Sequence, residues 1–257
     1  MKRALNQERR REAMVGSRIT PRRPRALVTG GAVRLGRAIA LGLAGAGMDV
    51  AIGYHRSARA ARRTVEDLEA LGARAVALRA DLRRPAAGRL LVRRAARALG
   101  GLDVLVNSAA LFTRTPLPTA TPAQWNRLLD LNLRAAFFCG QAAARVLPRR
   151  GGHIVNIGDA GAGRAWPGYI PYTASKAGLV ALTRGLAAAL RPRRIAVNCV
   201  APGPVLRPPG FPLARWTRLT RGRARSAADV ASAVVYFATC PPRVTGRVRR
   251  VGGGALA

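Results

Sequence analysis

Short apolar runs alternate with longer amphipathic segments along most of the chain, and this alternation limits the possible folds more than any other feature. The longer segments repeat their apolar residues with the period of a helix, as in Leu35–Leu43, Thr121–Val146 and Ala174–Leu190. Strands that alternate with helices form parallel sheets covered on both faces. We therefore predict one Rossmann-like α/β domain with a doubly wound parallel sheet of about seven strands. The predicted strands are Ala26–Thr29, Val50–Tyr54, Ala73–Leu78, Leu102–Asn107, His153–Ile157, Ile195–Val200 and Arg247–Val251.

The first 24 residues differ from the rest, because they hold eight basic and two acidic residues and little apolar periodicity. We expect residues 1–24 to be a basic, disordered extension. Residues 25–257 are then expected to form a single domain, which this length allows.

The charge is strongly positive. The formal net charge is +34, from 45 basic and 11 acidic residues, and the only lysines are Lys2 and Lys176. The arginines are spread over every predicted element rather than gathered on one stripe. This distribution predicts non-specific polyanion binding rather than specific recognition of a nucleic acid.

The cysteines Cys139, Cys199 and Cys240 lie far apart and are odd in number. Their spacing fits neither a metal site nor a disulfide framework, so we expect no bound metal and a reducing, cytoplasmic location. Apolar stretches are interrupted by Arg or Gly before they are long enough to span a bilayer, so no membrane association is expected.

A glycine-rich turn joins the first predicted strand to the first helix, over residues 29–36. Glycines allow a sharp turn and a close approach of the backbone to a pyrophosphate, while the helix N-terminus supplies N–H donors. The turn therefore predicts a dinucleotide site that includes Gly30, Arg34, Leu35 and Gly36.

The second strand ends in His55, Arg56 and Ser57, without the acidic residue that often binds the ribose 2′-hydroxyl of NAD. Arg56 is suited to a 2′-phosphate, with help from Ser57 and His55. Because solvated arginines are common in this chain, Arg56 alone is weak evidence for a 2′-phosphate site. The absence of an acidic residue is the stronger evidence. We predict NADP(H) as the cofactor.

Tyr172 and Lys176 lie four residues apart at the start of a predicted helix, on one face of it. Lys176 is the only lysine in residues 25–257. An ammonium group can bond a ribose and lower the pKa of a neighbouring phenol in a way that the guanidinium fork cannot. The pair predicts a catalytic site in which the tyrosine relays a proton.

With these motifs, residues 25–257 resemble the classical short-chain dehydrogenases/reductases. The matching segments are the glycine-rich turn, Ala80-Asp81-Leu82, Asn107-Ser108-Ala109-Ala110, Asn132, Tyr172 with Lys176, and Ala201-Pro202-Gly203. The resemblance implies that Asp81 and Leu82 hold the adenine, that Asn107, Ala109, Pro202 and Gly203 contact the cofactor, and that Asn132 anchors a water of the proton relay. It also implies a homo-oligomer, a tetramer or a dimer, and a substrate lid over residues 206–225.

Three positions depart from the common pattern of that family. Arg34 replaces a glycine, Asp159 replaces the serine thirteen residues before Tyr172, and Phe112 follows the fourth strand. These features resemble the pteridine reductases, including their dihydromonapterin reductase-like bacterial members. The resemblance implies that Phe112 stacks a pterin against the nicotinamide, that Arg34 lies near the pyrophosphate and the pterin, and that Asp159 assists Tyr172.

The chain is thus expected to be an NADPH-dependent reductase that acts on a C=N bond of a dihydropterin or a related pteridine. A carboxylate at position 159 would accept an N–H of such a ring, whereas it would repel the alkoxide formed from a ketone. Two alternatives remain. One is a carbonyl or 3-oxoacyl reductase of the same fold, and the other is a non-catalytic protein that binds NADP or a polyanion, for which the net charge is the reason.

Overall fold

The computed structural model describes residues 22–164, 166–207, 210–220 and 226–252. Most of the predicted N-terminal extension, part of the predicted lid, and Gly253 with Gly254 lie outside these residues. The last three residues of the predicted extension are held against the domain. Arg22 donates to Asp103 at 2.8 Å, Arg23 donates to the carbonyl oxygen of Gly47 at 3.1 Å, and Pro24 accepts from the amide of Asp49. These contacts attach Arg22, Arg23 and Pro24 to the domain, next to the predicted boundary.

Seven parallel strands form one sheet in the order β3-β2-β1-β4-β5-β6-β7. The strands are β1 Arg25–Thr29, β2 Asp49–Tyr54, β3 Ala75–Arg79, β4 Val104–Asn107, β5 Gly152–Ile157, β6 Ile195–Pro202 and β7 Val248–Val251. The sequence analysis predicts all seven, with ends that differ by two residues or fewer.

Helices cover both faces of the sheet. They are α1 Arg34–Gly45, α2 Ala58–Ala70, α3 Ala87–Leu99, α4 Pro122–Leu129, α5 Ala135–Val146, α6 Ile170–Leu190, α7 Leu213–Thr220 and α8 Ala227–Thr239. One core cluster packs α1, α2 and α8 against the sheet, and a second packs α3, α5 and α6 against the opposite face. β1 and β6 are buried along their whole length, and most of their residues are apolar, as expected for strands that are covered on both faces. The predicted doubly wound α/β fold is confirmed.

The predicted helix over Thr121–Val146 is divided into two α-helices by a π-helical turn, Asp130–Arg134. Thr121 caps α4 in a capping box with Gln124. The wide turn holds Asn132, whose side chain is buried. Such turns insert a residue into a helix and are frequent at functional sites.

None of the helices in the described part of the chain is long and apolar enough to cross a membrane.

Candidate active site

A cleft of about 1310 Å³ runs along the carboxyl ends of the parallel strands. It crosses the boundary between β1 and β4, where the strand order reverses, which is the usual ligand position in open α/β sheets. The predicted site residues that line it are Gly30, Arg34, Leu35, Gly36, His55, Arg56, Ser57, Asp81, Leu82, Ala109, Phe112, Asp159, Tyr172, Lys176, Pro202 and Gly203. Asn107 and Asn132 lie behind the cleft wall, where they line a much smaller cavity.

The glycine-rich turn is packed so tightly that side chains cannot replace its glycines. Gly30 has a φ of +67°, and a Cβ atom there would lie 2.9 Å from the Cα atom of Ala109. A Cβ atom on Gly36 would lie 2.1 Å from the carbonyl oxygen of Gly30. Val33, which precedes α1, provides no side-chain cap, so no side chain there competes for the first amide groups of the helix. These features fit a bound pyrophosphate.

Arg34 joins the glycine-rich turn to the first part of the predicted lid. Its guanidinium donates to the carbonyl oxygens of Leu206, at 3.3 Å, and Arg207, at 2.9 Å. Its backbone has a φ of +52°, in the left-handed region that favours glycine. The departure from glycine at position 34, noted in the sequence, therefore places a side chain where the backbone conformation favours glycine.

One end of the cleft is lined by His55, Arg56, Asp81 and Arg83. Arg83 donates to both carboxylate oxygens of Asp81, at 2.8 and 2.7 Å, and His55 lies 3.7 Å from the same group. The hydrogen bonds from Arg83, together with the charge of His55, hold the pKa of Asp81 well below its usual range. Arg56 forms no ion pair with any residue that the structure describes, which leaves its guanidinium available for a phosphate.

Tyr172 and Asp159 form the centre of the cleft. The Tyr172 hydroxyl donates to Oδ2 of Asp159 at 2.6 Å, and Oδ1 of Asp159 accepts the backbone N–H of Gly161 at 2.6 Å. Burial, and then the charge and hydrogen bond of Asp159, raise the pKa of Tyr172 well above its ordinary value. The phenol thus keeps its proton until a reaction takes it.

Lys176 lies one helical turn after Tyr172 and is almost fully buried. Its Nζ donates to the carbonyl oxygen of Ile157 at 2.8 Å. Burial lowers the pKa of Lys176, while the nearby charge of Asp159 acts in the opposite direction. An ammonium group at this position has further N–H donors for a cofactor hydroxyl.

The Asn132 side chain fixes the segment that carries Phe112. Its Oδ1 accepts the amide of Leu111 at 2.8 Å, and its Nδ2 donates to the Leu111 carbonyl at 3.0 Å and to Ser175 Oγ at 3.1 Å. The hydrogen-bonding groups of the Asn132 side chain are thus engaged by the protein. A relay water beside Asn132 would have to bind to atoms other than those of this side chain.

A cavity of about 10 Å³ lies beside Asn132, Asn107 and Lys176, which is close to the space that one water needs. Asn107 Nδ2 donates to Asn156 Oδ1 at 2.9 Å, but its buried Oδ1 has no hydrogen-bond partner among the described residues. A buried acceptor without a partner is unfavourable, and a water in this cavity would satisfy it.

Four aromatic rings that contact one another line one part of the cleft, those of Phe112, Trp166, Tyr169 and Tyr172. Phe112 stacks on Tyr169, with ring centres 4.6 Å apart, and meets the edge of Tyr172 at 4.8 Å. Trp166 lies 5.3 Å from Tyr169 and 5.9 Å from Phe112. The sequence analysis misses Trp166 and Tyr169, although their position just before Tyr172 was a usable signal. Together the rings make an apolar wall that suits a flat substrate.

The site therefore combines a nucleotide-binding turn, a protonated phenol beside a carboxylate, and an aromatic wall. Within the described ranges, no group of three or more His, Cys, Asp or Glu side chains is arranged to hold a metal ion. The arrangement can bind a dinucleotide and deliver a proton to a group placed next to the Tyr172 hydroxyl.

Comparisons with known proteins agree with this geometry. A family model described as short chain dehydrogenase matches residues 24–210. The 3-oxoacyl-[acyl-carrier-protein] reductase FabG of Staphylococcus aureus is 32% identical over 237 residues, which cover 89% of this chain and 96% of that protein.

Two solved structures are similar along nearly their whole length. A short chain dehydrogenase from Burkholderia cenocepacia in complex with NADP is 41% identical, with a TM-score of 0.85 and coverage of 91% of this chain and 98% of that chain. A blue fluorescent protein from a metagenomic library in complex with NADPH is 38% identical, with a TM-score of 0.84 and the same coverage of both chains.

Proposed function

This chain belongs to the short-chain dehydrogenase/reductase family, and from that premise we propose that it is an NADPH-dependent reductase of a dihydropterin or related pteridine. The hydrogen bond between Tyr172 and Asp159 is the observation that carries the proposal. A ketone reductase needs a neutral donor at position 159 to hold the substrate oxygen. A carboxylate there favours a substrate with N–H groups.

The cofactor proposal rests on the residues of the cleft. Gly30 and Gly36 would let the backbone approach the pyrophosphate closely, because there is no room for a Cβ atom at either position. Leu35, in the first turn of α1, would contact the pyrophosphate as well. Arg56, with His55 and Ser57, would hold the 2′-phosphate. The two solved relatives that contain NADP and NADPH support this choice. When bound, NADPH supplies the hydride.

At the same end of the cofactor as the 2′-phosphate, Asp81 and Leu82 would contact the adenine, while Ala109, Pro202 and Gly203 line the path toward Tyr172. Asn107 lies behind this path, so we propose that it supports the wall and holds a water rather than touching the cofactor.

Tyr172 would give its proton to the substrate nitrogen as the C=N bond is reduced. Asp159 would accept a substrate N–H and orient the Tyr172 hydroxyl, with which it shares a 2.6 Å hydrogen bond. Lys176 would hold the nicotinamide ribose and return a proton to Tyr172 through a water in the small cavity, next to Asn132. Phe112 would stack the substrate ring, and Arg34 would contact the pyrophosphate and the pterin.

A second candidate is the reduction of a 3-oxoacyl thioester. The curated relatives favour it, since the Staphylococcus aureus protein bears that name, and the comparisons support it better than they support a pteridine. Asp159 is the residue that opposes it, because a carboxylate must be protonated or displaced before a ketone oxygen can bind there.

The test is NADPH oxidation with dihydrobiopterin, dihydromonapterin and dihydrofolate beside ketones and a 3-oxoacyl thioester, for wild type and Tyr172→Phe. Turnover of a pteridine that the substitution abolishes is the expected result. Turnover of the thioester or ketones alone would replace the proposal with the second candidate. NADPH binding without any turnover would favour the non-catalytic alternative.

A further inference from the structure

Three exposed arginines line the cleft on the side of the aromatic wall, and each belongs to a different element. Arg114 lies in the segment after β4, Arg127 in α4 and Arg215 in α7, and we call them the mouth arginines. Because they come from three separate parts of the chain, their positions depend on the fold rather than on one arginine-rich run.

Contacts hold the mouth arginines at the cleft that contains Tyr172 and Asp159. Thr115 donates its amide to the carbonyl of Gly168 at 2.7 Å, so Arg114 is held against the turn that leads into α6. Arg127 lies one turn before Leu131, on the face of the helix that lines the cleft. The guanidinium of Arg215 lies 5.4 Å from the centre of the Phe211 ring, which also lines the cleft.

The charges of these side chains are not neutralised by the protein. Within the described residues, none of the three guanidinium groups forms an ion pair. Among the residues that the structure describes, the carboxylates that line the cleft are Asp81 and Asp159. Asp81 is bonded by Arg83, and Asp159 is bonded by Tyr172 and Gly161.

A cleft lined by one sign of charge concentrates that potential and raises the local concentration of oppositely charged ligands. Arginine is also the side chain whose geometry matches carboxylates and phosphates best. The mouth arginines would have little effect on the binding of a neutral substrate. A substrate with an anionic tail would associate faster, and the arginines would bind its tail.

We infer that the substrate carries an anionic tail, a carboxylate or a phosphate, beyond the group that is reduced, and that the mouth arginines select for it. This inference rests on the proposed reductase function and narrows it. Among pteridines it favours those with a glutamate tail, such as dihydrofolate, over neutral ones such as dihydrobiopterin. Among thioesters it favours those on a phosphorylated carrier.

The experiment uses pairs of substrates that share a reducible group and differ in charge. Dihydrofolate is compared with dihydrobiopterin, and a 3-oxoacyl-coenzyme A with the same acyl group on neutral N-acetylcysteamine. We expect the Arg114→Gln/Arg127→Gln/Arg215→Gln variant to lose about tenfold or more in kcat/KM for the anionic member, and to stay within about twofold for the neutral one.

Arg193→Gln is the matched control for each single mouth substitution, because it removes one charge from an exposed arginine before β6, at the amino end of that strand and so opposite the cleft. This substitution should leave kcat/KM unchanged for both the anionic and the neutral member of each substrate pair. Equal losses from the control and the mouth variant would show that the overall charge acts, and would overturn the inference. The three single substitutions provide the same comparison if the triple variant does not fold.

The result separates the inference from the proposed function. If only the thioester pair is reduced, the pteridine proposal fails and the inference is judged on that pair. If neither pair is reduced, dissociation constants of folate and biopterin are measured calorimetrically on the protein with NADP⁺. Tighter binding of folate that the mouth variant alone removes supports the inference, and equal binding of the two overturns it.

Discussion

The Tyr172 hydroxyl donates to Asp159 Oδ2 at 2.6 Å, across the cleft between the end of β5 and the start of α6. This contact gives the phenol that we propose as the proton donor a negatively charged neighbour. The charge stabilises the protonated phenol, because it opposes the formation of a second negative charge beside it. The phenol of Tyr172, the proton donor in our proposal, therefore stays protonated at neutral pH.

The Asp159→Asn variant should shift the alkaline limb of the kcat profile to lower pH. Reduction needs a protonated Tyr172, so activity falls as pH rises through the pKa of that phenol. Burial and Asp159 raise this pKa above its ordinary value near 10, and the amide removes only the contribution of Asp159. The measurement is kcat from pH 6 to 11, taken at saturating substrate. A limb that stays in place would show that Asp159 does not act on Tyr172.

Tyr172→Phe should lower kcat by about 10²- to 10⁴-fold, the usual contribution of a general acid. The ring should keep its contact with Phe112, since only the hydroxyl is removed. NADPH affinity, measured by fluorescence titration, should therefore stay close to wild type. Retained turnover would assign the proton to another group.

The sequence predicts the sheet well and the side-chain network around it poorly. A strand covered on both faces is rich in apolar residues, so the short apolar runs of β1 and β6 can be recognised without any knowledge of their neighbours. The π-helical turn at Asn132 is not visible, because the helical period continues through it.

The site shows the same limit. Tyr172 and Lys176 are predictable from their spacing on one helix, whereas Asp159 is predicted from the family resemblance alone. The contact of Arg34 with Leu206 joins residues that are 172 positions apart, and the ring stack of Phe112 on Tyr169 depends on two separate loops. Such contacts arise from tertiary packing, which no local pattern encodes.

Arg56→Gln should lower kcat/KM for NADPH by about tenfold to a hundredfold, the effect expected from the loss of a charge-assisted bond to phosphate. The value for NADH should stay nearly unchanged, because NADH has no 2′-phosphate. Both are measured by initial rates at one substrate concentration. Equal losses of kcat/KM for NADPH and NADH would mean that Arg56 does not bind the 2′-phosphate.

Arg34→Gly should yield a more stable protein than Arg34→Ala, by about 1 kcal/mol in the free energy of unfolding. Both variants lose the bonds from the guanidinium to Leu206 and Arg207, so this loss cancels in the comparison. The remaining difference is the cost of a side chain at a φ of +52°. Urea denaturation of the two variants measures it, and equal stabilities would show that position 34 is unstrained.

Gly36→Ala should lower kcat/KM for NADPH by about a hundredfold, because the new Cβ atom would lie 2.1 Å from the Gly30 carbonyl oxygen and displace the turn. Gly45→Ala is the matched change in the same helix. A Cβ atom at Gly45 would meet nothing within 4 Å, so that variant should keep its affinity for NADPH and gain up to about 1 kcal/mol of stability. Steady-state kinetics and thermal unfolding of both variants test the pair. If Gly36→Ala kept its kcat/KM for NADPH, the turn over residues 30–36 would not hold the pyrophosphate.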